Sequence, residues 1–322
     1  LWVENTWFVG NVSNAEGGAL HVSSSGSRVY VRDSLFVDNH SGGVGGAVVH
    51  ESLSTGVYDR VIFLGNAAVD EGGAIRDFAT DPQGVTYRSS VIAGNFAGHM
   101  GGAAFVENDT RFINCTIVNN QPAQVEINGG TTHIVNTLIW STDEVSSVSA
   151  TSGSSNVLTS MIYSADSTDY PMLQSYDFNR MMGRFDSVGE PDEWGVSKAF
   201  DYDQNWGIDA LLGMFLLVDN SAEGELARWS VVTFNYVANL DFIGNNAVVG
   251  PLDTSNYTLF DLRPSSESPL IDAGSGYDQG FWVPTHDILG NPRIDFTGVD
   301  NSGEGTPAYV DIGAYEIANS SL

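Results

Sequence analysis

Two short motifs recur at a fixed mutual offset along the first 125 residues. Phe8-Val9-Gly10-Asn11, Phe36-Val37-Asp38-Asn39, Phe63-Leu64-Gly65-Asn66 and Ile92-Ala93-Gly94-Asn95 share the pattern apolar-x-x-Asn. Six residues after each Asn comes Gly-Gly-Ala, starting at Gly17, Gly45, Gly72 and Gly101, so the glycine pairs lie 28, 27 and 29 residues apart. A fifth copy, Ile117-Val118-Asn119-Asn120, lacks the Gly-Gly-Ala half. A repeat of this length is one supersecondary unit that buries its apolar face only by stacking on its neighbours.

The unit is a strand unit. Its apolar residues come in short β-branched bursts such as Arg28-Val29-Tyr30-Val31 and Arg60-Val61-Ile62-Phe63, bounded by Gly, Asn, Ser and Asp, the marks of short strands between tight turns. The paired amphipathic helices of helical repeats are missing. The expected fold is all-β, a right-handed parallel β-helix with one repeat per coil and coils about 4.8 Å apart. In such a stack the repeated Asn tolerates a left-handed corner and can bond its amide to the next Asn along the axis. Gly-Gly supplies a turn with positive φ and leaves room for the neighbouring backbone, and Ala starts an inward-facing strand.

The pairing of F-x-x-N with G-G-A-[ILV] over residues 1 to about 125 resembles the repeat of chlamydial polymorphic outer-membrane proteins and their bacterial relatives, which are pectin-lyase-like β-helices. The resemblance implies the fold and an extracellular or cell-surface location, and it transmits no catalytic site. A second resemblance lies near the C-terminus, in Ser268-Pro269-Leu270-Ile271-Asp272-Ala273-Gly274, Asp287-Ile288-Leu289-Gly290-Asn291-Pro292-Arg293 and Val310-Asp311-Ile312-Gly313-Ala314-Tyr315-Glu316. These motifs look like the closing segment of secreted β-helix proteins of the choice-of-anchor type. That resemblance implies a segment that finishes the solenoid, with Asp272, Asp287, Arg293, Asp311 and Glu316 in buried polar pairing rather than catalysis.

The chain therefore divides into β-helix coils over 1–167, a loop-rich excursion with room for one short helix over 168–215, and final coils with the capping segment over 216–322. Leu1-Trp2-Val3-Glu4-Asn5-Thr6-Trp7 enters directly into a repeat. An uncapped first coil exposes strand edges, so either preceding residues complete it or another molecule covers it. The absence of a leader at Leu1 reads as a mature product or an excised fragment.

Charge restricts the partners. Lys and Arg total 12 against 40 Asp and Glu, for a formal charge of −28, and Lys198 is the single lysine. Such a surface repels nucleic acid and anionic lipid and favours divalent cations. No apolar run approaches the ~20 residues that cross a bilayer. Cys115, the one cysteine, sits in a strand-like context and reads as a buried inert thiol.

The sharpest metal candidate is Asp201-Tyr202-Asp203-Gln204-Asn205-Trp206-Gly207-Ile208-Asp209. Alternating oxygen ligands on Asp201, Asp203, Asn205 and Asp209 suit Ca²⁺, although the glycine falls one position later than in an EF-hand and no Glu closes the loop. Asp300-Asn301-Ser302-Gly303-Glu304 is a weaker loop of the same kind. The six histidines share no ladder and read as surface or turn residues, and no serine sits in a G-x-S-x-G elbow. Asn-x-Ser/Thr sequons at Asn11, Asn108, Asn114 and Asn256 carry no weight in so Asn-rich a chain.

The resulting expectation is a noncatalytic extracellular structural or adhesive solenoid stiffened by Ca²⁺. Its partners would be copies of itself end to end, or neighbouring domains of a larger surface protein, or glycans. The alternative is a carbohydrate-active enzyme, a polysaccharide lyase or glycoside hydrolase, or a polysaccharide-binding module. A lyase needs cations to neutralise a uronate, which a charge of −28 with one lysine supplies poorly. Glu193, Trp194, Asp201, Asp203 and Trp206 would carry that alternative, aromatic faces stacking on sugars and acids transferring protons.

Overall fold

A computed structural model of the chain describes residues 1–141, 146–158, 160–163, 182–189, 192, 196–204, 214–219, 228–236, 239–243, 256–276, 282–297, 299–303, 305–307 and 309–317. It has two compact units, Leu1–Met172 with Arg263–Leu322, and Leu173–Leu262. The described residues contain no helix, and 51% of them are strand.

The first unit is a parallel β-solenoid of about six turns. Equivalent positions of successive repeats pair in register, so Phe8, Phe36, Phe63, Ile92, Ile117, Ile139 and Ile162 form one continuous column. A second column runs Val3, Val31, Tyr58, Tyr87, Phe112, Ile134 and Val157. The opposite wall stacks Leu20, Val48, Ile75, Ala104, Val125 and Val148. Like residues at a strand spacing of about 4.8 Å place rings face to face. Phe8–Phe36 and Phe36–Phe63 stack at 4.4 and 5.0 Å, and Tyr58–Tyr87 and Tyr87–Phe112 at 4.9 and 5.3 Å.

The recurring Asn residues form the expected ladder. Each Nδ2 donates to the Oδ1 of the next coil's Asn, at 2.8 Å for Asn11 to Asn39, 2.8 Å to Asn66, 2.9 Å to Asn95 and 2.8 Å to Asn120. Where the repeat degenerates, Gln124 takes over, accepting from Asn120 Nδ2 at 2.7 Å. The left-handed backbone, however, falls on the residue before each ladder Asn: Gly10, Asp38, Gly65, Gly94 and Asn119. The reason lies in bonding, because the Asn backbone N–H is itself donated to the next Oδ1, as from Asn39 to Asn66 at 3.0 Å. The glycine pairs divide their work. The first takes positive φ (Gly17, Gly45, Gly72, Gly101), and a Cβ on the second, at Gly18, Gly46 or Gly73, would collide with a glycine carbonyl of the next coil.

A second corner leaves no mark in the repeat motifs. Asn5, Asp33, Arg60, Ser89, Asn114 and Asn136 all have positive φ at equivalent places. The residues that follow include a ladder of small side chains, with Thr6 N bonded to Ser34 Oγ at 3.1 Å, Val61 N to Ser90 Oγ at 3.1 Å and Cys115 N to Thr137 Oγ1 at 3.2 Å. Cys115 occupies that ladder, fully buried, and burial pushes its thiol up to about 12; it is the inert thiol expected.

The second unit carries a seven-stranded antiparallel sheet in the order Met182–Arg184, Asn256–Phe260, Phe215–Asp219, Arg228–Tyr236, Asn239–Ile243, Val196–Phe200 and Ser187–Val188. Phe185, Leu216, Val218, Phe242 and Tyr257 belong to its own core. Its boundaries fall at 172/173 and 262/263, where the sequence reading divided the chain at 167/168 and 215/216. The strand Phe215–Asp219 pairs with Arg228–Tyr236 and Asn256–Phe260, so a cut at 215 would split one sheet. Where a loop-rich excursion was expected, the described residues of 182–204 are strands and turns.

Replacing Asn66 tests the ladder. Its side chain makes four bonds, to Asn39 N, Asn39 Nδ2, Phe36 O and Asn95 Oδ1, and each buried group orphaned costs ~1–3 kcal/mol. Asn66→Ala should lower unfolding free energy in denaturant titrations by more than about 3 kcal/mol. Asn11→Ala, at the exposed end with one side-chain bond, should cost less than about 1 kcal/mol.

Candidate functional site

The first coils present an aromatic and charged outer face. Outward positions of the paired strands stack Trp2 on Tyr30, with ring centroids 4.2 Å apart. Trp2 is 64% exposed and Trp7 49%. Trp2, Arg28, Tyr30, Thr55, Val57 and Gln83 line an open groove of about 550 Å³. Beside it the next outward column alternates charge along the axis: Glu4, Arg32, Asp59 and Arg88. Arg60 grips Asp33 with two bonds of 2.7 and 2.8 Å, and this pairing raises its guanidinium pKa. Asp59 receives Arg88 at 3.1 Å and the Tyr30 hydroxyl at 3.3 Å. The acids that could have drawn a cation are here matched with arginines of the neighbouring coil.

The closing segment clasps the corner of three successive coils. Ser89 Oγ donates to His286 O, Asn114 Nδ2 to Asp311 O, and Asn136 Nδ2 to Ser275 O, while Ala314 N donates to Thr116 Oγ1. These bonds run along the side of the stack. Behind them Arg293 pairs with Glu316 at 2.9 Å, both buried. Asp311 accepts from Asp272 N and Ile317 N at 2.8 Å each, and Asp287 from Leu289 N and Asn291 N at 3.0 and 2.7 Å. The five residues thus form the buried polar pairing expected of them. The Arg293 guanidinium bonds the Glu316 carboxylate and the carbonyls of Asp311 and Gly313. Burial raises Asp311 and Glu316, and it raises Asp272 to about 6 with the neighbouring Asp311 charge adding to the shift. Asp272 Oδ1 is buried with no hydrogen-bond partner among the described residues.

The loop 201–209 is only partly described. Asp201 is buried, its carboxylate accepting from Asp203 N at 3.1 Å and from the Tyr257 hydroxyl at 2.7 Å. Asp203 is exposed on the same turn, and Asn205 and Asp209 lie outside the described residues, as do Glu193, Trp194 and Trp206. In the weaker loop, Ser302 N and Gly303 N both donate to Asp272 O at 3.0 Å, and Glu304 is outside the described residues.

His50 departs from the surface role expected of the histidines. It is fully buried, with Nε2 2.7 Å from the Tyr58 hydroxyl and Nδ1 3.3 Å from Ser54 Oγ, and burial lowers its pKa to about 4. Its column places it between Val22 and Asp77 inside the coil, a location that motif spacing alone did not reveal. His21 stands in the neighbouring outward column and lies within reach of Glu16 and Glu51.

Comparison with protein families, with curated proteins and with solved structures gives no match.

The proton-holding cluster makes stability fall with rising pH. A carboxyl whose folded pKa lies above its unfolded value contributes stability fully below the unfolded pKa and loses it as pH climbs through the folded one. For Asp272, and for Asp77, which burial raises to about 6, the window opens near the usual carboxylate value of about 4 and closes above pH 6. The melting temperature should therefore drop between pH 4.5 and 7. Asp272→Asn, which mimics the protonated form, should flatten part of that slope and raise the melting temperature at pH 7.

Proposed function

We propose that this chain is a noncatalytic extracellular structural or adhesive β-solenoid, akin to the surface proteins whose F-x-x-N/G-G-A-[ILV] repeat it resembles. The observation that carries this reading is the use of buried polar groups in the stack. The Asn column, the small-residue column and the Arg60–Asp33 and Arg88–Asp59 pairs all join one coil to the next. Bonding of this kind resists extension and bending and keeps an outer surface in fixed register.

Contact with partners then falls to the first coils. The strands Trp2–Glu4 and Trp7–Val9 each pair with one neighbour among the described strands, and Trp2, Trp7 and Val12 are exposed around them. That edge accepts another parallel coil through backbone bonds and ring stacking. End-to-end assembly with Ca²⁺ stiffening the Asp201–Asp209 loop completes the proposal. Ca²⁺ prefers several oxygens at flexible angles, and Asp201 and Asp203 lie on one turn.

A glycan-binding role is the second reading, favoured by the groove beside Trp2 and Tyr30. Stacked aromatic faces with Arg28 and Gln83 alongside offer a sugar both apolar contact and hydrogen-bond partners.

Electron microscopy of the purified chain with and without a calcium chelator separates these readings. Filaments that shorten on chelation are the expected result for a calcium-stiffened assembling subunit. Single particles in both conditions would remove self-assembly. In that case the second reading predicts retention on a neutral-polysaccharide column, lost with Trp2→Ala.

A further inference from the structure

We propose that Glu16, His21 and Glu51 form a binding site for a divalent transition ion of the zinc class, clipping the first coil to the second. The site is separate from the Asp201–Asp209 loop and independent of the structural role proposed above. His21 lies on the strand Leu20–Val22, beside Val49 of the strand Val48–His50. Glu51 follows that second strand directly, and Glu16 precedes the turn at Gly17. Stacking of two coils therefore brings together three side chains that are 5 and 30 residues apart in sequence.

The geometry matches the spacing of donors around one ion. His21 Nε2 lies 3.4 Å from Glu16 Oε2 and 3.2 Å from Glu51 Oε2, and one ligand atom from each residue falls within 4.8 Å of the others. Bonds of about 2.0–2.1 Å to nitrogen and oxygen at tetrahedral angles place neighbouring ligand atoms about 3.3 Å apart. One imidazole and two carboxylates is a donor set suited to zinc, and the nitrogen donor disfavours Ca²⁺, which takes oxygens. Two carboxylates would neutralise a dication, and a fourth position would stay open to water.

The backbone holds the donors in place before any ion arrives. Gly17 N bonds to Val44 O at 3.1 Å, Leu20 N to Ala47 O at 3.0 Å and Glu51 N to Val22 O at 2.9 Å, so each donor is anchored across the coil boundary. Side-chain exposures of 39%, 35% and 30% for Glu16, His21 and Glu51 leave them open to solvent and to an entering ion. The exposed pair of His99 with Asp70 at 3.3 Å has no third donor within reach among the described residues and serves as the control.

A proton competes for the same place, since an imidazolium between two carboxylates satisfies the same distances. Isothermal titration of the full chain with zinc chloride at pH 7.5 and 5.5 distinguishes the two states. One saturable site is expected at pH 7.5, weaker at pH 5.5 because protons compete with a metal for its ligands. His21→Ala and Glu51→Gln should weaken that site by about tenfold or more, whereas His99→Ala should leave it unchanged. Zinc should also slow hydrogen exchange of residues 17–22 in the wild type and not in His21→Ala. Both substitutions are at solvent-open side chains, and unchanged far-ultraviolet dichroism checks the fold. Zinc binding that survives His21→Ala and Glu51→Gln, or no saturation below millimolar zinc, would overturn the site and leave a proton-bridged ion pair.

Discussion

Everything in the solenoid depends on the fact that a parallel coil repeats every side chain one strand spacing further along. A buried polar group in such a stack meets its own equivalent at hydrogen-bond distance. An amide can use this fully, being donor and acceptor at once, so Asn39, Asn66 and Asn95 each accept from one coil and donate to the next without leaving a buried atom unmatched. A carboxylate repeated in the same way would repel itself. The acids inside this unit accordingly sit beside something else: Asp77 with Thr110, and Asp311 with the backbone of Asp272 and Ile317.

The same logic explains which parts of the molecule were legible in the sequence. Features that must be identical in every coil leave a periodic trace, and so the Asn column, the glycine pairs and the Phe8–Phe36–Phe63 stack could be read directly. Features satisfied by any of several residues leave none. The second corner accepts Asn, Asp, Arg and Ser at positive φ, and the ladder beside it accepts Ser, Thr and Cys. The antiparallel sheet between residues 182 and 260, which the sequence pattern divides between an excursion to 215 and final coils beyond it, leaves no periodic trace for a related reason. Its strands pair across long separations in sequence, as Met182–Arg184 does with Asn256–Phe260, and antiparallel pairing needs no repeat. Of the candidate site residues, Asp201 stands beside the turn at Tyr202 and Asp203, and its hydroxyl partner Tyr257 comes from 56 residues away. Glu16, His21 and Glu51 carry no motif at all, because their proximity exists only once two coils are stacked.

Charge is distributed to match. The net charge of −28 is far from uniform in its effect: near the first coils arginines of adjacent coils neutralise acids, and in the closing segment burial raises the pKa values of the carboxyl groups. Trp2 and Trp7 are exposed in the first coils, and the proposed contact with partners is placed there and not on the ladders.

The central claim, that the internal Asn column is a continuous bonded structure on which coil stacking rests, is tested most directly by side-chain amide exchange in the native protein. Nuclear magnetic resonance of the Asn39, Asn66 and Asn95 side-chain amides should show protons exchanging as slowly as the backbone amides of the flanking strands, with Asn11 faster. Side-chain amides of Asn66 and Asn95 that exchange as fast as those of surface asparagines, while the neighbouring backbone stays protected, would contradict the account.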